Sequence, residues 1–206
     1  MSRQVRALLG ALAILGLWSC GAANGQRGGE PERQLAEATV AVDVGKVKQL
    51  LASGADPNKM GLHNGHYQSP WKLAVIQIRP NRPGTAEIAQ AMLKAGANPE
   101  TAWGEIDSLR KGWVVRETTP IIEAVTWSAT DVVRALMNAG LNRRKAELAL
   151  EMAVESGHDD IVHVLVEAGV NVNSRATAIT PLVAAIEARN VALMTYLEEH
   201  GAREKP

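Results

Sequence analysis

Apolar residues recur along this chain at three- and four-residue intervals, in short runs that a glycine closes. The run Ile161, Val162, Val164, Leu165 and Val166 is the clearest, ending at Gly169, and Val44, Val47, Leu50 and Leu51 form another, ending at Gly54. This spacing lays an apolar stripe along one face of a short helix. Five times the chain repeats the same order: an opening turn, an apolar helix, a second apolar helix and a closing Gly. The closing motif reads Gly54-Ala55-Asp56-Pro57-Asn58, Gly96-Ala97-Asn98-Pro99-Glu100, Gly140-Leu141-Asn142, Gly169-Val170-Asn171 and, truncated, Gly201-Ala202. The opening motif reads Ser69-Pro70-Trp71-Lys72-Leu73-Ala74, Thr119-Pro120-Ile121-Ile122-Glu123-Ala124 and Thr180-Pro181-Leu182-Val183-Ala184-Ala185, with Leu148-Ala149 replacing Thr-Pro in the fourth copy. Proline fits the first helical turn, where its missing N–H needs no partner, and Gly just past a helix takes the left-handed conformation that ends it.

Register strengthens the pattern. The opening Ala and closing Gly stand 16 positions apart in four copies, 38 to 54, 124 to 140, 153 to 169 and 185 to 201. These motifs resemble those of ankyrin repeats, whose opening turn reads Thr-Pro-Leu-x-x-Ala. The resemblance implies an all-α solenoid of about five helix-turn-helix repeats over 34–206. The expected repeats run from Gln34 to Lys59 without an opening turn, Gly61 to Thr101, Trp113 to Arg143, Arg144 to Asn173, and Ser174 to Pro206. Glu198 stands where Leu51, Leu93, Met137 and Val166 end the apolar stripes of the other repeats. A sixth repeat would bury that carboxylate, so the stack is expected to end there.

Two insertions depart from the usual 33-residue period. Repeat two is about six residues longer between its helices, through Arg79-Pro80-Asn81-Arg82-Pro83-Gly84. The connection from Gly96 to Pro120 is about 11 residues longer than the ankyrin norm and holds Trp103 to Trp113. A rigid scaffold carries such loops at little energetic cost, and function concentrates in them. Trp103, Trp113, Trp127, Tyr67 and His66 are therefore candidates for an aromatic partner-binding patch, Trp127 on the groove that ankyrin proteins use for binding. The alternative is that Trp103 and Trp113 clasp each other and fold the loop onto repeat three. Trp71, in the Leu position after its Pro, is expected in the core.

The N-terminus reads differently. Arg3 and Arg6 precede an apolar run from Ala7 to Leu17, too short to span a bilayer, which takes about 20 residues. Leu17-Trp18-Ser19-Cys20 resembles the lipobox of bacterial lipoproteins, although Trp18 replaces a small residue, and Cys20 is the single Cys of the chain. The resemblance implies a signal peptide over 1–19, lipidation at Cys20 and a location in the bacterial cell envelope facing the periplasm; Gly21 after the Cys implies the outer membrane in a Gram-negative cell. The alternative is an ordinary secretory signal cut near Ala22 or Ala23. Residues 20–33, rich in Gly, Ala, Gln and Glu, are expected to be a flexible tether.

Composition removes several function classes. Of the 206 residues 46% are hydrophobic, enough for a continuous linear core. Net charge is zero, and losing Arg3 and Arg6 leaves 20 basic against 22 acidic residues, a net −2, which gives no basic face for nucleic acid. His63-Asn64-Gly65-His66 could chelate a metal by spacing, but two His without further ligands nearby rarely suffice, so no metal and no cofactor are expected. His158 reads as a structural turn residue, His163 and His200 as surface, and Asp159-Asp160 as a helix cap. No phosphate-cradling loop or nucleophile elbow is present in the sequence. The expectation is a monomeric, non-catalytic, membrane-tethered protein that recognises another protein. Its sharper versions are an immunity or inhibitor protein against a periplasmic toxin or hydrolase, and a stress-protection or assembly factor for an envelope enzyme.

Overall fold

The computed structural model describes residues 28–63, 65–107, 114–176 and 179–204. Five helix pairs follow one another: α1 (Glu30–Val40) with α2 (Val44–Ala52), α3 (Pro70–Ile76) with α4 (Thr85–Lys94), α5 (Pro120–Thr126) with α6 (Thr130–Asn138), α7 (Arg143–Glu155) with α8 (Asp159–Glu167), and α9 (Pro181–Glu187) with α10 (Val191–Glu199). The first helices pack in the order α1, α3, α5, α7, α9, and the second helices in the order α2, α4, α6, α8. Each repeat therefore buries its apolar stripe against its neighbours, and one core runs from Leu35 to Leu197. Trp71 is fully buried in that core, its indole N–H donating to the Asn98 carbonyl at 2.8 Å.

The closing glycines all adopt positive φ, between 80° and 92°, and a Cβ would meet nothing within 4 Å of any of them. Conformation, not crowding, selects Gly at these positions. The outgoing turns share one side-chain device. The N–H of Asn58, Glu100, Arg144 and Asn173 donates to the side-chain oxygen two residues back, on Asp56, Asn98, Asn142 and Asn171.

Repeat one begins earlier than the sequence reading placed it. Helix α1 opens at Glu30 with Pro31 in its first turn, so residues 30–33 are helical and not tether, and the repeat does have an opening proline. Glu32 is buried and closes the helix start, accepting from Gly29 N–H at 2.6 Å and from Asp56 N–H at 3.3 Å. Repeat four also differs. With Leu148-Ala149 in place of Thr-Pro nothing stops the helix, and α7 runs unbroken for 13 residues from its cap at Asn142, replacing the turn found in other repeats.

Two antiparallel hairpins precede first helices. Gly61–His63 (β1) pairs antiparallel with His66–Gln68 (β2), and Trp103–Asp107 (β3) pairs with Val114–Thr118 (β4) in the register Trp103 to Thr118 and Asp107 to Val114. Asn64-Gly65 between β1 and β2 is a strong hairpin signal, and Gly65 has φ of 78°. At the far end Glu198 is exposed, whereas Leu93 and Val166 in the equivalent position are buried; Ile186 and Val191 of the last repeat are exposed as well.

Candidate functional site

The first helices and the two hairpins together offer the surface on which the predicted residues are to be placed. His66 stands exposed opposite His63 where β1 and β2 join, and Tyr67 pairs with Leu62 through the backbone. Among the described residues no group of three or more His, Cys, Asp or Glu is gathered as a metal site would require.

Trp103 is not a surface aromatic. It lies at the base of β3 with 8% of its area exposed, joins the core, and has the Lys72 ammonium 5.9 Å from its ring. Its indole N–H and the hydroxyl of Thr119, the cap residue of α5, are both buried and have no hydrogen-bond partner among the described residues. Thr119 thus differs from Ser69 and Thr180, whose hydroxyls accept from Lys72 N–H and Val183 N–H. The cap of α5 is left to Pro120 and backbone geometry.

Trp127 sits at the other end of α5, seven residues or about 10 Å of helix away. The structure therefore separates Trp103 from Trp127 instead of joining them in one aromatic patch. Trp127 is half-buried beneath Arg79, whose guanidinium carbon stands 3.8 Å from the ring centroid. The indole N–H donates to Glu123 Oε2 at 3.0 Å, and the same oxygen lies 4.0 Å from Arg79 Nη1. A cation over a ring with a carboxylate at its edge fixes all three side chains. Arg79 and Glu123 were not singled out in the sequence, although Arg79 belongs to the insertion that was.

That insertion reaches both ways. Arg82 Nη2 donates to the Val40 carbonyl at 3.0 Å, tying repeat two back to repeat one, while Arg79 ties it forward to repeat three. Gly84 packs so closely on Val42 and Val44 that an added Cβ would stand 3.0 Å from Val44 Cγ2. Long surface insertions usually carry function, but this one carries part of the stacking as well.

Further along, His158 makes no side-chain hydrogen bond among the described residues; its backbone caps α8 instead. His163 is half-buried with its ring 4.0 Å from that of Tyr196, which in turn stacks on the exposed His200 at 4.2 Å. Burial, then the Glu167 carboxylate, push the Tyr196 phenol above its ordinary value. Asp159 accepts from Asn190 Nδ2 at 3.0 Å, linking repeats four and five beyond any role as a cap.

Helix pairs in register, left-handed glycines at each closing turn and the shared side-chain bond inside the turns are matched by sequence comparison. A family model for ankyrin repeats, in three copies, matches residues 81–176. Cyclin-dependent kinase 4 inhibitor B of Bos taurus is 30% identical over 142 residues, covering 67% of this chain and 93% of the bovine protein. The chain belongs to the ankyrin-repeat family. The inhibitor of the same name from Mus musculus is 29% identical over 142 residues, covering 67% of this chain and 94% of the mouse protein. Both matches span nearly the whole of those relatives and two thirds of this chain.

Trp113 and Cys20 lie outside the described residues, as do 1–19, where a signal peptide is expected, and 20–27 of the expected tether. Among the described residues no helix is long and apolar enough to cross a membrane.

Proposed function

We propose that this ankyrin-repeat protein is a non-catalytic, monomeric binding protein, anchored in the bacterial envelope through Cys20, that recognises another protein with its first-helix face and hairpins. The observation that supports the reading best is the Arg79, Trp127 and Glu123 cluster on a stack of fixed register. Trp and Arg dominate interface energetics, and here they are held in place before any partner arrives, so little conformational entropy is lost on binding. His66 and Tyr67, on β2 ahead of α3, lie at the end of that helix opposite Arg79. Anchoring adds effective concentration: a site of modest affinity suffices when both proteins share one compartment.

The envelope location rests on Leu17-Trp18-Ser19-Cys20 and the apolar run before it. Within this reading, an inhibitor or immunity role is favoured over an assembly role, because the similar mammalian proteins carry the name of an enzyme inhibitor.

The test is affinity co-purification from membranes with identification by mass spectrometry, comparing the tagged chain with a folded Arg79→Ala, Trp127→Ala variant. A protein captured by the first and lost by the second supports the reading. Capture of none by either overturns it. Cys20→Ser should abolish lipoprotein processing, and release of the normally processed chain into the soluble fraction would refute the anchor.

A further inference from the structure

The ladder between outgoing turns is broken at one step. Asn58 joins turn one to turn two, donating to the Gly96 carbonyl at 2.9 Å and accepting from Asn98 N–H at 2.8 Å. Asn173 does the same from turn four to five, donating to the Gly201 carbonyl and accepting from Arg203 N–H, both at 2.9 Å. Glu100 takes this place between turns two and three, accepting from Asn142 N–H at 2.5 Å and pairing with Lys145 at 2.8 Å. Between turns three and four the equivalent residue is Arg144, and its side chain has no hydrogen bond or ion pair among the described residues.

Among the described residues nothing closes that step, and α7 has taken the place of a projecting turn. An open cleft of about 790 Å³ results, between the start of α7 and residues 171–176. Arg143, Arg144 and Arg175 line it, with Glu147 as the single lining carboxylate. Glu147 is already engaged: one oxygen lies 3.1 Å from Arg143 Nε and the other accepts from the Ser174 hydroxyl at 3.1 Å. Arg144 and Arg175 are both exposed, and Arg175, like Arg144, has no polar partner among the described residues. The grooves between second helices carry a smaller excess: Lys48 and Lys94 with Glu87, which Lys48 pairs, line one, and Lys94 and Arg134 with Asp131 line the other.

We infer that this cleft receives an extended acidic segment of the partner protein, with Arg144 and Arg175 supplying donors to its carboxylates. Guanidinium groups present paired N–H donors that fit a carboxylate, and two of them on opposite sides of a cleft select a chain bearing more than one. The inference rests on the protein-binding reading and names the chemistry of what is bound.

The probe is a fluorescein-labelled oligoglutamate peptide titrated into the full chain, followed by anisotropy at low and at physiological salt, beside an oligolysine control. Saturable binding of oligoglutamate alone, weakened by salt, is expected, with affinity reduced about tenfold or more in Arg144→Glu, Arg175→Glu. That variant should keep its melting temperature, because both side chains are exposed and have no polar partner among the described residues. No binding by the native chain, or equal binding by the folded double variant, overturns the inference. Tighter binding of a short RNA or of phosphatidylglycerol vesicles, lost in the same variant, overturns it in favour of a different anion. A chain that still captures its protein partner when Arg144 and Arg175 are reversed loses the cleft and keeps the protein-binding reading.

Discussion

The guanidinium of Arg79 lies 3.8 Å over the ring of Trp127, and these two residues join the insertion of repeat two to the first helix of repeat three. A half-buried cation–π contact contributes about 1 kcal/mol. Arg79→Ala should lower stability by that amount in urea denaturation. Arg79→Lys should recover little of it, because a lysine lacks the planar stacking face. Full recovery by Lys would reduce the contact to simple charge.

Gly61 lets β1 lie against α1. A Cβ there would stand 2.6 Å from the Glu32 carbonyl oxygen and 3.1 Å from Arg33 Cα, both backbone atoms that cannot swing aside. Gly61→Ala should cost about 1–3 kcal/mol by forcing the hairpin and helix apart. Faster hydrogen exchange at Gly28, whose N–H donates to the Met60 carbonyl at 2.9 Å, should accompany the loss.

Between its two helices each repeat places one residue at positive φ: Val42, Gly84, Ser128, Gly157 and Arg189. Ser128 is exposed, with φ of 52°. Ser128→Gly should therefore raise stability by about 0.5–1 kcal/mol, the relief of left-handed strain exceeding the added freedom of the unfolded chain. A lower melting temperature would show that the strain is absent.

Glu100 couples stability to pH. Its partial burial works to raise the carboxyl, but the Lys145 ammonium and the Asn142 N–H outweigh it and hold the group below the ordinary value of 4.5. A carboxyl depressed in the folded chain stabilises fully above its unfolded pKa, and that stabilisation is lost as pH falls through the folded value. The native chain should exceed Glu100→Gln in stability by less than about 1 kcal/mol at neutral pH, because the pair is a third exposed. The difference should vanish in strong acid; a difference unchanged at about pH 2 would remove the charge from the account.

Asn173 secures the last repeat through two backbone groups, the Gly201 carbonyl and the Arg203 N–H. Asn173→Ala should cost about 1–2 kcal/mol and speed amide exchange at Arg203 and along α10 before other helices respond. Uniform acceleration through all five repeats would show that the end is not locally secured.

The helix pairs were legible in the sequence because their signals are short-ranged. Proline opens a first turn, Gly closes a last one and apolar periodicity fills the space between, so Ala124 to Gly140 or Ala185 to Gly201 needs no distant contact to be read. The burial of Trp71 followed from its place in that register. The start of α1 was missed although Glu30-Pro31-Glu32 carried a capping signature, because the glycines before it read as tether. Asn64-Gly65 likewise carries a local hairpin signal between His63 and His66.

The rest depended on neighbours. Trp103 is buried because β3 pairs with β4 at the foot of α5, and no local pattern distinguishes that from an exposed aromatic. Arg79 meets Trp127 only because repeat three stacks on repeat two, 48 positions away along the chain. The cleft beside Arg144 exists because α7 continues through a turn that its neighbours keep. Sequence by itself determined the repeat, whose helices are set by local backbone preference and side-chain period; tertiary structure decided which surface residues are free, since burial and pairing are properties of the stack.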